Sequence, residues 1–327
     1  MNKLIKKVDN ISLEGIVTCL PTNKVSNSSL EEIYTKKEVE QISTSIGVKS
    51  RYHVSPSIKT SDLCLEAAKH LISNLEWDRE TIDGLIFITQ TPDNLIPATS
   101  SKLQFLLGLS TNSFAIDINL GCSAYPYGLW VASSLMQTGC KRILLLVGDT
   151  ISKIVNNEDR STAFLFGDAG SASALTYKEN KPIEFILGTD GEGSENIRAQ
   201  FSKSLVMNGP KVFEFSLSRI PALIKDIDSS KGGPHDIYFF HQANKFMLNY
   251  LKKKCKLDEI SLPINIENYG NTSSASIPLL MVDYLNKQIL LNNPHVALIG
   301  FGVGFSWAAA SLKLKPDLFL DNVFLEK

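Results

Sequence analysis

The chain is predicted to be a layered α/β protein on three observations: short apolar runs of strand length recur along it, helical stretches separate several of them, and no low-complexity linker divides the series. The strand-like runs are 85–89 (LIFIT), 114–120 (FAIDINL), 143–147 (ILLLV), 183–187 (IEFIL), 237–240 (IYFF) and 296–299 (VALI). Such near-continuous apolar runs are those of sheets covered on both faces. Between them, residues 61–75 set Leu65, Ala68, Leu71, Ile72 and Leu75 on one helical face behind the polar starters Thr60 and Ser61. Residues 277–291 form a second helical stretch, with Pro278 in its first turn. The 327 residues suffice for one large domain or two fused halves. Each half repeats a similar order of strands and helices, and the YKENKP segment at 177–182 is the expected join, giving halves of 1–177 and 178–327.

The run 117–128 (DINLGCSAYPYG) is the most informative stretch. FAIDINL reads as a buried strand, Gly121 allows a sharp turn, and Pro126 is tolerated only in a first helical turn, so a helix through Leu129, Trp130, Ala132, Leu135 and Met136 starts near Cys122. Its apolar residues occupy every side, which marks a buried helix and places the thiol at the floor of a site within the core. A helix N-terminus favours an anion, so Cys122 is expected to ionise and attack more readily than an ordinary core cysteine.

Composition narrows the function classes. Hydrophobic residues make up 43% and charged residues 20%, with a net charge of −1, so there is no global basic field for nucleic acid or an anionic membrane. The five cysteines are scattered, odd in number and never spaced C-x-x-C, which argues against a disulfide framework or a zinc site and fits a reducing cytoplasm. Asp9, Asn10 and Glu14 interrupt any apolar segment after the basic start, so no secretory signal is expected. The apolar run 296–312 is shorter than the ~20 residues a spanning helix needs and contains Gly300, Gly302 and Gly304; it reads as strand, turn, strand.

Two more segments have the density of a site. In 240–244 (FHQAN), a strand gives way to a helix carrying Met247, Tyr250 and Leu251, so His241 lies at a strand's C-terminal edge, where α/β folds gather active groups. In 268–278 (NYGNTSSASIP), a small-residue loop leads into a buried helix and sets Asn271 near its start. A thiol, an imidazole and a carboxamide, each at an element boundary with small neighbours, are the parts thioester chemistry requires: a nucleophile and two neutral donors. His53, His70, His235 and His295 lack such settings, and surface or capping roles are expected for them. The glycines of GFGVG and of 190–193 (DGEG) lack the full G-x-G-x-x-G spacing and read as tight turns.

Together with DRST at 159–162, FGDAG at 166–170 and GFGVGFSW at 300–307, these motifs resemble the β-ketoacyl-acyl-carrier-protein synthase III family of thiolase-like condensing enzymes, from about residue 11 to residue 312. The resemblance implies a five-layer αβαβα sandwich of two similar halves, assembled as a homodimer. It implies that Cys122 takes an acyl group from a thioester. His241 and Asn271 then stabilise the enolate left when a malonyl thioester loses carbon dioxide, and the backbone N–H groups of Cys122 and Val303 hold the oxyanion. Val303 stands where the family has glycine, which a main-chain donor tolerates. The implied substrates are coenzyme A or phosphopantetheine thioesters, with an acyl-carrier protein as partner and no metal or redox cofactor.

Further implied contacts are Arg160, Phe213, Phe246, Gly302 and Gly304 along the substrate path, Ile96 reaching across the dimer to the partner's acyl pocket, and Lys253 and Lys254 docking the carrier. The chain departs from the family where coenzyme A is held: Gln41 replaces the adenine-stacking tryptophan, Ser45 an arginine, Phe246 a basic residue and Glu214 a lysine. The acyl donor is therefore expected to be carrier-bound or an unusual acyl-CoA, and a specialised pathway is as open as fatty-acid initiation. Other readings are acyl transfer to an amine or hydroxyl, a Cys/His/Asn peptidase, and a non-catalytic carrier-binding subunit. Retention of Asn271 favours carbon–carbon bond formation.

Overall fold

The structure, a computed structural model, describes residues 5–200, 204–258, 261–287 and 293–326. Every apolar run read as a strand is one. A six-stranded sheet has the order Phe319–Leu325, Ile11–Pro21, Ala169–Tyr177, Arg142–Asp149, Gly84–Ile88, Phe114–Ile118. A five-stranded sheet has the order Lys6–Val8, Ile183–Thr189, Ser306–Lys313, His295–Gly302, Ile237–Phe240. Each sheet takes one strand from the far end of the chain: Lys6–Val8 pairs with Ile183–Phe185, and Phe319–Leu325 runs parallel to Gly15–Pro21.

Helices fill three layers around these sheets, giving the expected five-layer αβαβα sandwich. Thr60–Asn74 and Thr99–Leu106 cover the outer face of the six-stranded sheet. Gly209–Lys231 and Lys245–Cys255 cover the outer face of the five-stranded one. Ala124–Met136 and Ser276–Leu285 lie between the sheets, which is why both are apolar on every side. Leu129, Met136, Leu280 and Met281 are almost wholly buried there, each contributing roughly 1.5–3 kcal/mol relative to exposure. Pro126 and Pro278 are the third residues of the two central helices, where an N–H has no intrahelical partner to lose.

Three details differ from the sequence reading or extend past it. Phe114–Ile118 is the edge of its sheet and is half-exposed, not buried, because Gly84–Ile88 pairs with only one of its sides. The helix after Asn271 is Ser276–Leu285, and positions 288–291 of the expected helix lie outside the described residues. Thr60 and Ser61 start the first helix as expected, but its cap comes from Asp62, whose carboxylate accepts the Lys59 N–H at 2.8 Å. No helix among the described residues is long and apolar enough to cross a membrane.

Candidate active site

Cys122 stands two residues before the helix Ala124–Met136, with Ser123 as the N-cap. The Gly-rich hairpin of the other half presses on this turn. A Cβ on Gly302 would lie 2.7 Å from both Cβ and Sγ of Cys122, and one on Gly300 would lie 2.7 Å from Ser123 Cα, so only glycine lets the strands of the C-terminal half approach this closely. Ser123 Oγ and Ser306 Oγ are 2.6 Å apart, and the Ser306 hydroxyl donates to the Val303 carbonyl at 2.8 Å, clamping the cysteine turn to the hairpin.

Burial pushes the Cys122 thiol up to about 11, while the backbone N–H groups of Val303 and of Cys122 itself pull the other way. This corrects the expectation of a readily ionised thiol: loss of water around the sulfur outweighs two backbone dipoles. Those N–H groups are the pair expected to hold an oxyanion, and both address the sulfur.

His241 follows the strand Ile237–Phe240 and is tied back to the sheet by its N–H, which donates to the Ile299 carbonyl at 2.8 Å. Its Nδ1 lies 2.7 Å from Ser276 Oγ, leaving Nε2 for the cavity. Burial lowers its pKa to about 3, against an opposing hydrogen bond with the Ser273 backbone, so the ring is neutral at physiological pH. Asn244 of the same motif caps the helix Lys245–Cys255, accepting the Met247 N–H at 2.7 Å.

Asn271 is held on three sides. Its N–H donates to the Leu165 carbonyl, its Oδ1 accepts the Ser273 N–H at 2.9 Å, and its Nδ2 donates to the Ala243 carbonyl at 3.3 Å. The preceding Gly270 has φ +67, and a Cβ there would lie 2.6 Å from the Leu165 carbonyl oxygen.

Cys122, His241 and Asn271, 119 and 30 residues apart along the chain, line one cavity of about 660 Å³ including its mouth. Gly302 and Val303 share the wall, with Met207, Met247 and Phe301. The other expected contacts lie farther out. Gly304 (φ +129) belongs to the hairpin turn. Phe213 and Phe246 follow and precede the wall residues Val212 and Met247 and form an aromatic cluster with Tyr250, ring centroids 5.4 Å apart for Phe213–Phe246 and 5.5 Å for Phe213–Tyr250. Arg160 is at the surface, paired with Glu38 and 5.6 Å over the Tyr34 ring. Ile96 is 87% exposed and is not on the wall of this chain's own cavity. Lys253 and Lys254 are exposed in the last turn of their helix, with the Lys254 ammonium donating to the Leu217 carbonyl at 2.9 Å.

Residues that the sequence reading passed over complete the site. Ser276 stands in a quoted motif, but only the fold brings it to the His241 ring. Asp149 ends the apolar strand Arg142–Asp149 and is fully buried. Its carboxylate accepts from Gln90 N–H (2.7 Å), the Thr89 hydroxyl (3.0 Å) and Ser274 N–H (3.2 Å), joining the two loops that flank the cavity. A carboxylate ending a strand of ILLLV type is a usable signal; Gln90, after LIFIT, has none.

His235 is also corrected. It is a buried residue, not a surface or capping one, with Nδ1 2.7 Å from Asp228 Oδ1 and Nε2 2.8 Å from Ser311 Oγ. His53 faces the Phe166 carbonyl, and burial lowers its pKa to about 4.

A five-layer fold with a cysteine, a neutral histidine and an asparagine around one cavity at the junction of its halves defines a thiolase-like acyltransferase. Family models for 3-oxoacyl-[acyl-carrier-protein (ACP)] synthase III and for its C-terminal region match residues 116–191 and 230–314. The chain is 31% identical to a putative 3-oxoacyl-[acyl-carrier-protein] synthase 3 of Campylobacter jejuni over 98% of both chains. It is 32% identical to β-ketoacyl-[acyl-carrier-protein] synthase III 1 of Bacillus cereus, over 93% of this chain and 99% of that one. Among solved structures, a 3-oxoacyl-(acyl-carrier protein) synthase of Burkholderia xenovorans superposes with a TM-score of 0.95 at 38% identity, covering 99% of each chain. The chain belongs to the β-ketoacyl-[acyl-carrier-protein] synthase III family.

Proposed function

We propose that the protein catalyses decarboxylative condensation of an acyl thioester with a malonyl thioester, malonyl-carrier protein above all, to give a 3-oxoacyl thioester. Cys122 Sγ attacks the acyl carbonyl and the departing thiol takes up the proton, leaving an acyl-cysteine. The malonyl thioester then enters, and His241 Nε2–H and Asn271 Nδ2–H hydrogen-bond its carbonyl. Loss of carbon dioxide leaves an enolate that these donors stabilise without a strong base. Its carbon attacks the acyl-cysteine, the N–H groups of Cys122 and Val303 hold the oxyanion, and collapse releases the Cys122 thiolate. No step calls for a metal or redox cofactor.

The observation that carries this reading is the convergence of Cys122, His241 and Asn271 on one cavity. Burial lowers the His241 pKa to about 3, so the neutral ring can donate a hydrogen bond to the substrate, with Ser276 Oγ 2.7 Å from Nδ1.

Carrier docking fits the helix Lys245–Cys255, where Lys253 and Lys254 follow the exposed Phe246 and Tyr250 on one face beside the cavity mouth. The donor is an acyl-carrier protein or an unusual acyl-CoA, since Gln41 and Ser45 offer neither stacking nor charge to an adenine. A homodimer accounts for the half-exposed edge strand Phe114–Ile118 and for Leu95 and Ile96, at 70% and 87% exposure. Five free cysteines agree with work in the cytoplasm. Intact-protein mass spectrometry with a panel of acyl-CoAs and acyl-carriers tests the reading: a mass gain mapping to Cys122 and absent in Cys122→Ala supports it, and an adduct on another residue refutes it.

A further inference from the structure

One polar side chain on the cavity lining has no part in the chemistry above. Gly209, Val212, Asn244 and Met247 line the cavity from the start of the two outer helices of the C-terminal half. Ile151, Leu165 and Leu205 add apolar surface to the lining that holds Cys122, and Gln90 belongs to it as well.

Gln90 is placed with care. Asp149 fixes its backbone through the N–H and holds the Thr89 and Thr91 hydroxyls on either side, at 3.0 and 3.4 Å. Its carboxamide lies on Gly121, where any Cβ would collide with Gln90 Oε1 and would stand 3.1 Å from Val303 Cγ1. The amide therefore sits beside the turn that presents the sulfur and beside the Val303 backbone. Its one side-chain hydrogen bond among the described residues runs from Nε2 to Asn119 Oδ1, at 3.3 Å. The second amide hydrogen and Oε1 have no other hydrogen-bond partner among the described residues, and the half-exposed side chain lines both this cavity and the open groove of Thr91, Asp93, Leu95 and Asn119 beside it.

We propose that Gln90 is a specificity-determining residue that selects acyl groups carrying a hydroxyl or similar hydrogen-bonding group a few carbons from the thioester, over plain alkanoyl chains. A methylene chain laid against Gln90 displaces water from the amide and returns nothing, whereas a hydroxyl both donates to Oε1 and accepts from Nε2. Sites built to hydrogen-bond a substrate hydroxyl discriminate far better than sites that only exclude or admit a methylene. The short distance from Gly121 to Cys122 limits the recognised group to the first few carbons. This inference rests on the acyl-cysteine reading above and adds the chemistry of the acyl group to it.

The test compares butanoyl-phosphopantetheine with 3-hydroxybutanoyl-phosphopantetheine, thioesters of the arm that coenzyme A and carriers share, as acyl donors to Cys122 followed by intact mass. The full-length wild type is expected to be labelled about tenfold or more faster by the hydroxylated donor. Gln90→Leu and the flexible Gln90→Met are each expected to bring that ratio to about one, whatever either change does to the absolute rates. Wild type preferring butanoyl, or an unchanged ratio in both variants, overturns the selection by Gln90 alone. Absence of any Cys122 adduct with either donor overturns the acyl-cysteine reading, and this inference with it.

Discussion

Two histidines of this chain sit in hydrogen-bonded clusters that look alike by distance and differ in what they leave unfilled. His235 lies between Asp228 and Ser311, at 2.7 and 2.8 Å, in the order acid, imidazole, hydroxyl, and Tyr238 also donates to the same carboxylate at 2.8 Å. Both of its ring nitrogens are engaged, and Ser311 is buried. His241 has one nitrogen on Ser276 and the other facing a cavity that also holds a sulfur and a carboxamide. The difference teaches that the chemistry follows from an unfilled donor with access to substrate, not from residue types at hydrogen-bonding distance. A closed network of the first kind serves stability, and an open one of the second kind serves a reaction.

The sharpest way to separate the two clusters is to delete the nucleophile. Cys122→Ala is expected to lower condensation by about a thousandfold or more while leaving thermal stability near that of the wild type, read by product formation and by melting. Deletion at His235 runs the other way. His235→Ala opens a buried gap between Asp228 and Ser311, which keep only Tyr238 and His295 as partners, and is expected to cost about 2–4 kcal/mol in denaturant unfolding. The Cys122 acylation rate at temperatures where that variant stays folded should match the wild type; a loss of acylation there would give the closed network a part in the reaction.

Ser276→Ala removes the hydroxyl that engages His241 Nδ1 and holds the ring in place. A fall of about tenfold or more in the decarboxylative step, with little change in Cys122 acylation, is expected. An equal fall in both steps would assign Ser276 to packing alone.

Two further effects are read against pH. Burial raises the Cys122 thiol to about 11, so its alkylation rate should still be climbing between pH 8 and pH 10; a plateau near neutrality would show that the sulfur is better solvated than the geometry allows. His241 has its pKa lowered from 6.5 to about 3, so the folded state resists protonation that the unfolded chain accepts. Its contribution is fully present above about pH 6.5 and is eroded as pH falls from there toward 3, because the unfolded chain then binds the extra proton. Urea unfolding across that window should show a shallower fall for His241→Gln than for the wild type.

Much of the fold was legible because it depends on local pattern. The strand runs, the apolar central helices and the proline positions each reflect a short-range rule, and the motifs around Cys122, His241 and Asn271 mark element boundaries. What could not be read is decided by partners distant in sequence. Whether Phe114–Ile118 is central or at an edge depends on the order of six strands gathered from both ends of the chain. The charge state of Cys122 depends on how closely the hairpin at Gly302 covers it. His235 follows Gly-Gly-Pro and reads as a loop residue, yet it is buried by Asp228 from the preceding helix and Ser311 from a strand 76 residues later. Gln90 has no local signature, since its role arises only where Gly121, Asp149 and Val303 meet.

The central claim is that one cavity brings a sulfur to an acyl group and two neutral donors to an enolate. The most direct measurement follows both half-reactions in the same samples of His241→Ala and Asn271→Ala: acyl-Cys122 by intact mass and carbon dioxide release from a malonyl-carrier thioester. Each variant should retain Cys122 acylation and lose decarboxylation by about a hundredfold or more. Decarboxylation at the wild-type rate in both would contradict it.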